Sequence, residues 1–404
     1  MLKKYHRVVF SSTVHGYEGA GRGFTLKFEN IVNKEYKTWN KQTINQPIRW
    51  GAYDPVEQFI FDVCLLNAKL PTLTCIEEEI DKAKINLSFK CISSQILLAN
   101  EDLLVQVFAV LVTAHYQTTP SDLKLLLDNP QVSVLCFFHQ KNVVSVALLM
   151  REGSRNQDDI FGVKHAKRRL RDQFLPQSLM VHCGVENAFD FDYLRVLRIA
   201  VHPQFQNKGI GTLFLAKITE YAKSLPVDFI GASFGCNQQI LNFWLLSNYQ
   251  LARIGFTQDG ASGEYSALLL KALSQKAEAL QSTINSKFYQ SFIYLLSDEY
   301  RQLSDILVWL ILKYCPKEGL PKLATSDLDT VQAFADKNRL YSNCAYSLHL
   351  WLLHQLTQPF DEQLLPMIAR LLKRTPVSEV CNLYQLKGKK ALNQLMLDYV
   401  NRLL

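Results

Sequence analysis

Residues 195–212 read Arg195-Val196-Leu197-Arg198-Ile199-Ala200-Val201-His202-Pro203-Gln204-Phe205-Gln206-Asn207-Lys208-Gly209-Ile210-Gly211-Thr212, and the fold is decided here. An apolar strand, Leu194 to Val201, stops at Pro203. A loop with Gly209 and Gly211 follows. Leu213-Phe214-Leu215, Ile218, Tyr221-Ala222 and Leu225 then recur at the spacing of an amphipathic helix. Strand, glycine loop and helix together form a common phosphate cradle. Glycines let the backbone approach the ligand, and the first free N–H groups of the helix point at the anion. Lys208 adds a cation at the same place. The spacing is not G-x-x-x-x-G-K-[ST], which excludes a nucleoside-triphosphate loop, nor G-x-G-x-x-G, which disfavours a dinucleotide fold. The alternative is a plain glycine turn between strand and helix.

The flanking segments extend the pattern in both directions. Downstream, Val227 to Phe234 reads as a buried strand and Gln238 to Ser247 as a short helix carrying Ile240, Leu241, Phe243, Trp244 and Leu245. Tyr249 to Phe256 and Glu264 to Leu270 read as two closing strands. Upstream, Leu103 to Tyr116 is a helical stretch, and Ser121-Asp122 caps a short helix ending near Asn129-Pro130. Val132 to His139 and Asn142 to Met150 form a β-hairpin with Gln140-Lys141 at its turn. The fold class is therefore α/β.

Gln206 to Gly211 after Val201-His202-Pro203 resembles the Q/R-x-x-G-x-G/A pyrophosphate loop of GNAT acetyltransferases. The order strand–helix–strand–helix–strand–strand resembles the second half of that domain, a mixed central sheet with flanking helices. The resemblance implies acetyl-CoA as cofactor. Its pantetheine arm would lie between two splayed strands, held by backbone groups of Ile199, Ala200 and Val201. Its pyrophosphate would lie on Gln206, Asn207, Lys208, Gly209, Ile210, Gly211 and Thr212.

Further segments resemble the tRNA(Met) cytidine acetyltransferases of bacteria and their eukaryotic RNA cytidine acetyltransferase relatives. They are Ser12 to Phe24 (with its Gly-Tyr-Glu-Gly-x-Gly-Arg-Gly-Phe string), Pro47-Ile48-Arg49-Trp50 with Asp54-Pro55, Leu175 to Leu179, Arg198 to Pro203, Ser233-Phe234-Gly235 and Ser262-Gly263. The resemblance weakens after about residue 275. It implies N4-acetylation of a tRNA cytidine, and tRNA as partner. Acetylation of a protein or small-molecule amine, and a non-catalytic RNA-binding remnant, are the alternatives. Family members begin with a helicase-like ATPase module carrying a Walker loop, and this sequence has none. It looks like the C-terminal part of such a protein: a shortened homologue, a fragment, or one half of a split gene whose ATPase half is encoded separately. The family's ATP-contacting arginine falls on Arg22, although ATP binding is not expected of this chain alone. The expected organisation is residues 1–95 as the end of the helicase-like module, 96–273 as the GNAT domain, and 274–404 as a helical, tRNA-binding or oligomer-forming region.

The chemistry needs a donor site, a base and an acid. A cytidine amino group is a poor nucleophile because its lone pair is delocalised into the ring. Positioning and polarisation of the thioester must then carry much of the rate. A target base within stacked RNA would also have to be flipped out. His202, Tyr249, Glu264 and Tyr265 are candidates for the proton transfers, but no residue is assigned as catalytic, and His202 has a structural alternative in its Val-His-Pro turn. Relatives also contact acetyl-CoA through a glutamate and an arginine on the helix after Ser-Phe-Gly. The matching positions here are Gln239 and Leu246, so both charges are lost.

Composition bounds the rest. The 404 residues allow two or three domains. No apolar run is long enough for a membrane span, and the N-terminus lacks a signal-peptide core. The nine cysteines show no C-x-x-C spacing, which reads as reduced thiols of a cytoplasmic protein; no metal site is expected. His349 and His354 read as helix residues rather than ligands. Net charge is +7, mild but compatible with a polyanionic partner. Lys164, Lys167, Arg168, Arg169 and Arg171 are clustered and read either as a solvated helix face or as RNA phosphate contacts. Near the N-terminus, Val8 to Phe10 and Phe24 to Phe28 read as strands, and Asp54-Pro55 starts a helix. Beyond residue 275, helical spacing recurs in Phe288–Leu296, Leu303–Tyr314, Tyr346–Leu356 and Leu364–Leu372.

Overall fold

A computed structural model describes residues 8–10, 32–33, 38–44, 46–70, 86–114, 120–153, 155–260 and 262–404. In chain order the first elements are α1 (Pro55–Val63), β1 (Leu87–Ile92), α2 (Ser94–Ala99), α3 (Glu101–Ala114), α4 (Pro120–Asp128), β2 (Val132–His139) and β3 (Asn142–Glu152). There follow α5 (Gln157–Lys164), α6 (Phe174–Cys183), β4 (Tyr193–Val201), α7 (Ile210–Lys223), β5 (Phe229–Cys236), α8 (Gln238–Leu246), β6 (Gln250–Gln258) and β7 (Tyr265–Ala272). The remainder is helical: α9 (Gln275–Leu295), α10 (Asp305–Lys313), α11 (Thr325–Ala335), α12 (Tyr341–Gln355), α13 (Leu364–Met367) running into a π-turn at Ile368–Leu372, α14 (Val377–Leu383) and α15 (Lys389–Leu403). The chain divides into two units: the described residues up to Glu152 with Leu194–Pro226, and Gly153–Tyr193 with Val227–Leu404.

In the first unit the strand order is β1-β2-β3-β4. The β2–β3 hairpin turns on Gln140-Lys141 as expected, with Gln140 in the left-handed region at φ 56° and His139 opposite Asn142. Every residue from Val143 to Met150 is buried, so β3 is covered on both faces. Val107, Val110 and Leu111 of α3 pack with Val134, Val146, Leu148 and Ala200 of β2, β3 and β4. Phe137 and Phe214, 4.8 Å apart between ring centroids, pin α7 to β2. Full burial of one such aromatic is worth about 1.5–3 kcal/mol. Asp54 caps α1 as its sequence signature predicts, accepting the amides of Val56 (2.9 Å) and Glu57 (3.0 Å).

In the second unit the order is β5-β7-β6, so the last strand in sequence sits between the other two. Leu175 and Leu179 of the Leu-Pro-Gln-Ser-Leu segment are buried with Phe189, Phe229, Leu268 and Leu270, which makes that segment core rather than site. Two buried amides bind α9 to the sheet: Gln281 Nε2 donates to Leu270 O (3.2 Å) and Asn285 Nδ2 to Leu251 O (3.0 Å). Among the C-terminal helices, Lys373 is buried and donates to Asp305 Oδ1 and Leu303 O, each at 2.8 Å, while the Tyr384 hydroxyl donates to Asp305 Oδ2. His349 lies on α12 with Nδ1 3.1 Å from Leu371 O; burial lowers its pKa, which favours the neutral ring.

Two expectations change. Val8 to Phe10 form no strand, and Phe24 to Phe28 lie outside the described residues. The basic cluster is not one helix face, because α5 ends at Lys164 and the remaining cations follow on turns and irregular chain. Helix ends favour just such residues: the C-cap His165 amide satisfies the Phe161 carbonyl, and Ala166 turns left-handed at φ 55°.

Candidate acetyl-donor site

The Pro203 ring ends β4 by removing a ladder donor. His202 is buried, and its own amide donates to Val144 O (2.8 Å), extending the bond pattern by one residue. Its Nδ1 accepts the Gln204 amide at 3.3 Å and so caps the single turn Pro203–Phe205. A ring whose Nδ1 is an acceptor carries its proton on Nε2. His202 thus shapes the turn, which is its structural alternative. Phe205 is buried beneath, 6.2 Å from the His139 ring.

The loop is then tied back to the strand it left. Gln206 Nε2 donates to Val201 O at 2.9 Å, so this side chain holds the loop closed. Asn207 (φ 59°) and Gly209 (φ 77°) are left-handed, and Gly209 is the N-cap of α7 with no side-chain cap. The first helical bond is Leu213 N to Gly209 O (3.1 Å). The amides of Lys208, Gly209, Ile210, Gly211 and Thr212 have no acceptor among the described residues. A helix start with uncapped amides and a glycine at its second position is an anion cradle. Lys208 is half-buried there and forms no ion pair among the described residues. Ile199, Ala200 and Val201 form the adjoining end of β4. That strand is braced from behind: Arg198 pairs with Asp122 of α4, and Arg195 Nε lies 2.9 Å from the buried Glu152 Oε1.

The other candidates lie in the second unit. Tyr249 is buried against Trp244, 4.8 Å between centroids, and its ring carries Lys271 Nζ at 5.6 Å. Glu264 is more informative. Asn237 Nδ2 donates to Glu264 Oε1 at 3.0 Å, and a Cβ on Gly235 would overlap Glu264 Oε2. A side chain at Gly235 would require the Glu264 carboxylate to shift. The Ser-Phe-Gly and Ser-Gly segments, distant in sequence, meet at this carboxylate. Gly263 (φ 68°) turns the β6–β7 connection, donating its amide to Asp259 O at 2.8 Å. Cys236 beside it is pushed up to about 12 by burial and by Glu264. Gln239 and Leu246 on α8 are both exposed. Tyr265 begins β7 and is buried.

Of the basic cluster, Lys164 pairs with Glu186 (2.9 Å), Arg168 pairs with Asp159, and Lys167 sits 5.7 Å over the Phe161 ring. Arg169 and Arg171 are exposed and have no ion pair among the described residues. Arg22 lies outside the described residues. Among the described residues no group of His, Cys, Asp and Glu is placed to hold a metal, and no helix is long and apolar enough to cross a membrane.

The hairpin, the glycine loop capping α7, and β5, α8, β6 and β7 beyond it are the parts of a GNAT acetyltransferase domain, and the GNAT acetyltransferase 2 family profile matches residues 106–226 and 215–274. The helicase-domain profile of the RNA cytidine acetyltransferases NAT10/TcmA matches residues 1–67. Curated relatives named tRNA(Met) cytidine acetyltransferase TmcA include that of Nitrosococcus halophilus, 31% identical over 96% of this chain and 52% of that protein. That of Vibrio cholerae is 33% identical over 97% and 53%, and that of Thermofilum pendens 32% identical over 85% and 43%. The chain belongs to the tRNA(Met) cytidine acetyltransferase family, and spans about half the length of the curated relatives it matches.

Proposed function

We propose that this chain is an acetyl-CoA-dependent N-acetyltransferase that forms N4-acetylcytidine in tRNA(Met). The observation that carries the reading is the loop at Gln206–Thr212, with its consecutive unbonded amides, inside a segment that the GNAT profile spans. The acetyl-CoA pyrophosphate takes the amides of Lys208 to Thr212 and the Lys208 ammonium, with Asn207 at the bend. Gln206 acts through the loop shape it fixes. Ile199, Ala200 and Val201 offer the pantetheine arm main-chain partners. The amine of the acceptor base attacks the thioester carbonyl, the C–S bond breaks, and the thiolate leaves as CoA after taking up a proton. No side chain is assigned to these proton transfers.

In this proposal residues 1–95 close a helicase-like module, 96–273 carry the transferase, and 274–404 support tRNA binding. ATP-driven remodelling of the RNA is proposed to come from an ATPase module of the family's kind, and the site of action to be the cytoplasm. The substitution of Gln239 and Leu246 for charged family contacts favours weak donor binding, the feature of a non-catalytic homologue. The test is incubation of the chain with acetyl-CoA and a tRNA(Met) transcript, then mass spectrometry of the nucleosides. N4-acetylcytidine is expected. Acetyl-CoA binding without product sinks the RNA-modifying reading and leaves acetylation of another amine; no acetyl-CoA binding sinks the transferase.

A further inference from the structure

Of the cations clustered in sequence, Arg169 joins a different cluster in space. Lys164 and Arg168 are held in ion pairs, whereas Arg169 is not. The C-terminal end of α6 packs on β6, with Cys183 Sγ 3.5 Å from Ala252 O. That contact brings Arg253, the next residue of β6, beside α6. Lys287 of α9 reaches the same place: its Nζ is 3.6 Å from where a Cβ on Gly184 would stand. Their charges meet at the end of α6. The His182 pKa is lowered by burial and by Arg253 and Arg169, and the positive charges of Arg253 and Lys287 act together on Cys183. None of Arg169, Arg253 and Lys287 forms an ion pair among the described residues.

Exposed aromatic faces border these cations. Phe256 of β6 is 47% exposed, its ring 5.3 Å from that of Tyr300. Tyr294, 81% exposed, lies two helical turns from Lys287 on the same face of α9. Unpaired cations together with exposed rings suit a nucleic-acid strand, whose phosphates take the charge and whose bases stack. An acidic protein surface would not need the rings.

We propose that Arg169, Arg253 and Lys287, with Phe256 and Tyr294 as stacking faces, form an RNA-contact surface of the second unit. This rests on the reading of RNA as substrate. The experiment is binding of the full chain to a tRNA(Met) transcript by fluorescence anisotropy across a salt series, with nucleoside mass spectrometry on the same preparation. The double variant R253Q/K287Q is expected to lower the log–log salt slope by about 1.5, some 0.7–0.9 per phosphate contact. K287Q alone, at an exposed position, gives half of that without any risk to β6. F256A is expected to weaken binding about tenfold with the slope unchanged. K164Q/R168Q, whose side chains are already paired, is expected to change little. If R253Q/K287Q and K287Q leave affinity and slope unaltered while wild type binds and acetylates tRNA, the surface is wrong and the function stands. If K164Q/R168Q carries the loss instead, the sequence cluster is the contact and the surface is again wrong. Absence of any tRNA binding by wild type overturns both.

Discussion

Replacing Gly211 by Asp separates donor binding from fold stability. Gly211 is the second residue of α7, behind the uncapped Gly209. For the helix itself the change is favourable or neutral. A carboxylate in the first turn complements the positive end of the helix dipole by about 0.3–1 kcal/mol, and removing an intrahelical glycine adds about 0.5–1 kcal/mol. For the bound pyrophosphate it is severe. Two unit charges about 4 Å apart repel by about 4 kcal/mol at an effective dielectric near 20. That is about three decades in the dissociation constant. The expected outcome is therefore a melting temperature equal to or above wild type, with acetyl-CoA binding lost to calorimetry. A folded variant that binds acetyl-CoA as wild type does would refute the placement of the pyrophosphate on these amides.

Further outcomes follow from the braces and charges around this site. Asp122→Asn leaves the Arg198 guanidinium without its carboxylate in a mostly covered position (side chains 12% and 15% exposed), and urea denaturation is expected to show a loss of about 3 kcal/mol. Asp228 is buried, which would raise its pKa, but Lys276 (2.8 Å), the Asp192 amide (3.0 Å) and Ser274 (2.7 Å) outweigh that and hold it below the usual 3.8. A depressed carboxylate stabilises above its unfolded pKa and loses that contribution as pH falls through the folded one, so Asp228→Asn should flatten the fall in melting temperature below about pH 4. Cys183, pushed up to about 11 by burial, should label with a thiolate-selective reagent only as pH approaches that value. Purified chain should show no RNA-stimulated ATP hydrolysis; clear turnover would reveal a nucleotide site outside the Walker pattern.

What was legible in the sequence was local. The strand–loop–helix at Leu194–Lys223 could be read because a strand, two glycines and an amphipathic helix adjoin, and the hairpin because two apolar runs flank two polar residues. The Asp54-Pro55 helix start is likewise written in neighbouring residues. Long-range features were not legible. Nothing near Arg168 or Lys164 announces that Asp159 and Glu186 neutralise them, and nothing near Gly235 announces Glu264 above it. The placement of β7 between β5 and β6 is a choice of partners that periodicity does not encode. His202 is visible in the sequence as a titratable group, but its acceptor role toward the Gln204 amide appears only once the chain turns. In the C-terminal region the helical spacing was visible, whereas the buried Lys373–Asp305 pair, which joins residues far apart, was not.

The interleaving of the two units has a consequence for how the chain must be made. Gly153–Tyr193 belongs to the second unit yet is synthesised before β4, which completes the first. On the ribosome β1, β2 and β3 therefore emerge as an unfinished sheet, with the edge of β3 that β4 will pair with still open. They must wait through a segment whose own partners, β5 and β7, come later still. Chains generally fold their N-terminal portions first during synthesis, and exposed strand edges invite misassembly. Here the loop proposed to hold the acetyl donor follows directly on the strand that completes the sheet of the first unit, so the candidate cradle and that last strand are made in the same step. A stop anywhere between Glu152 and Val201 would forfeit both.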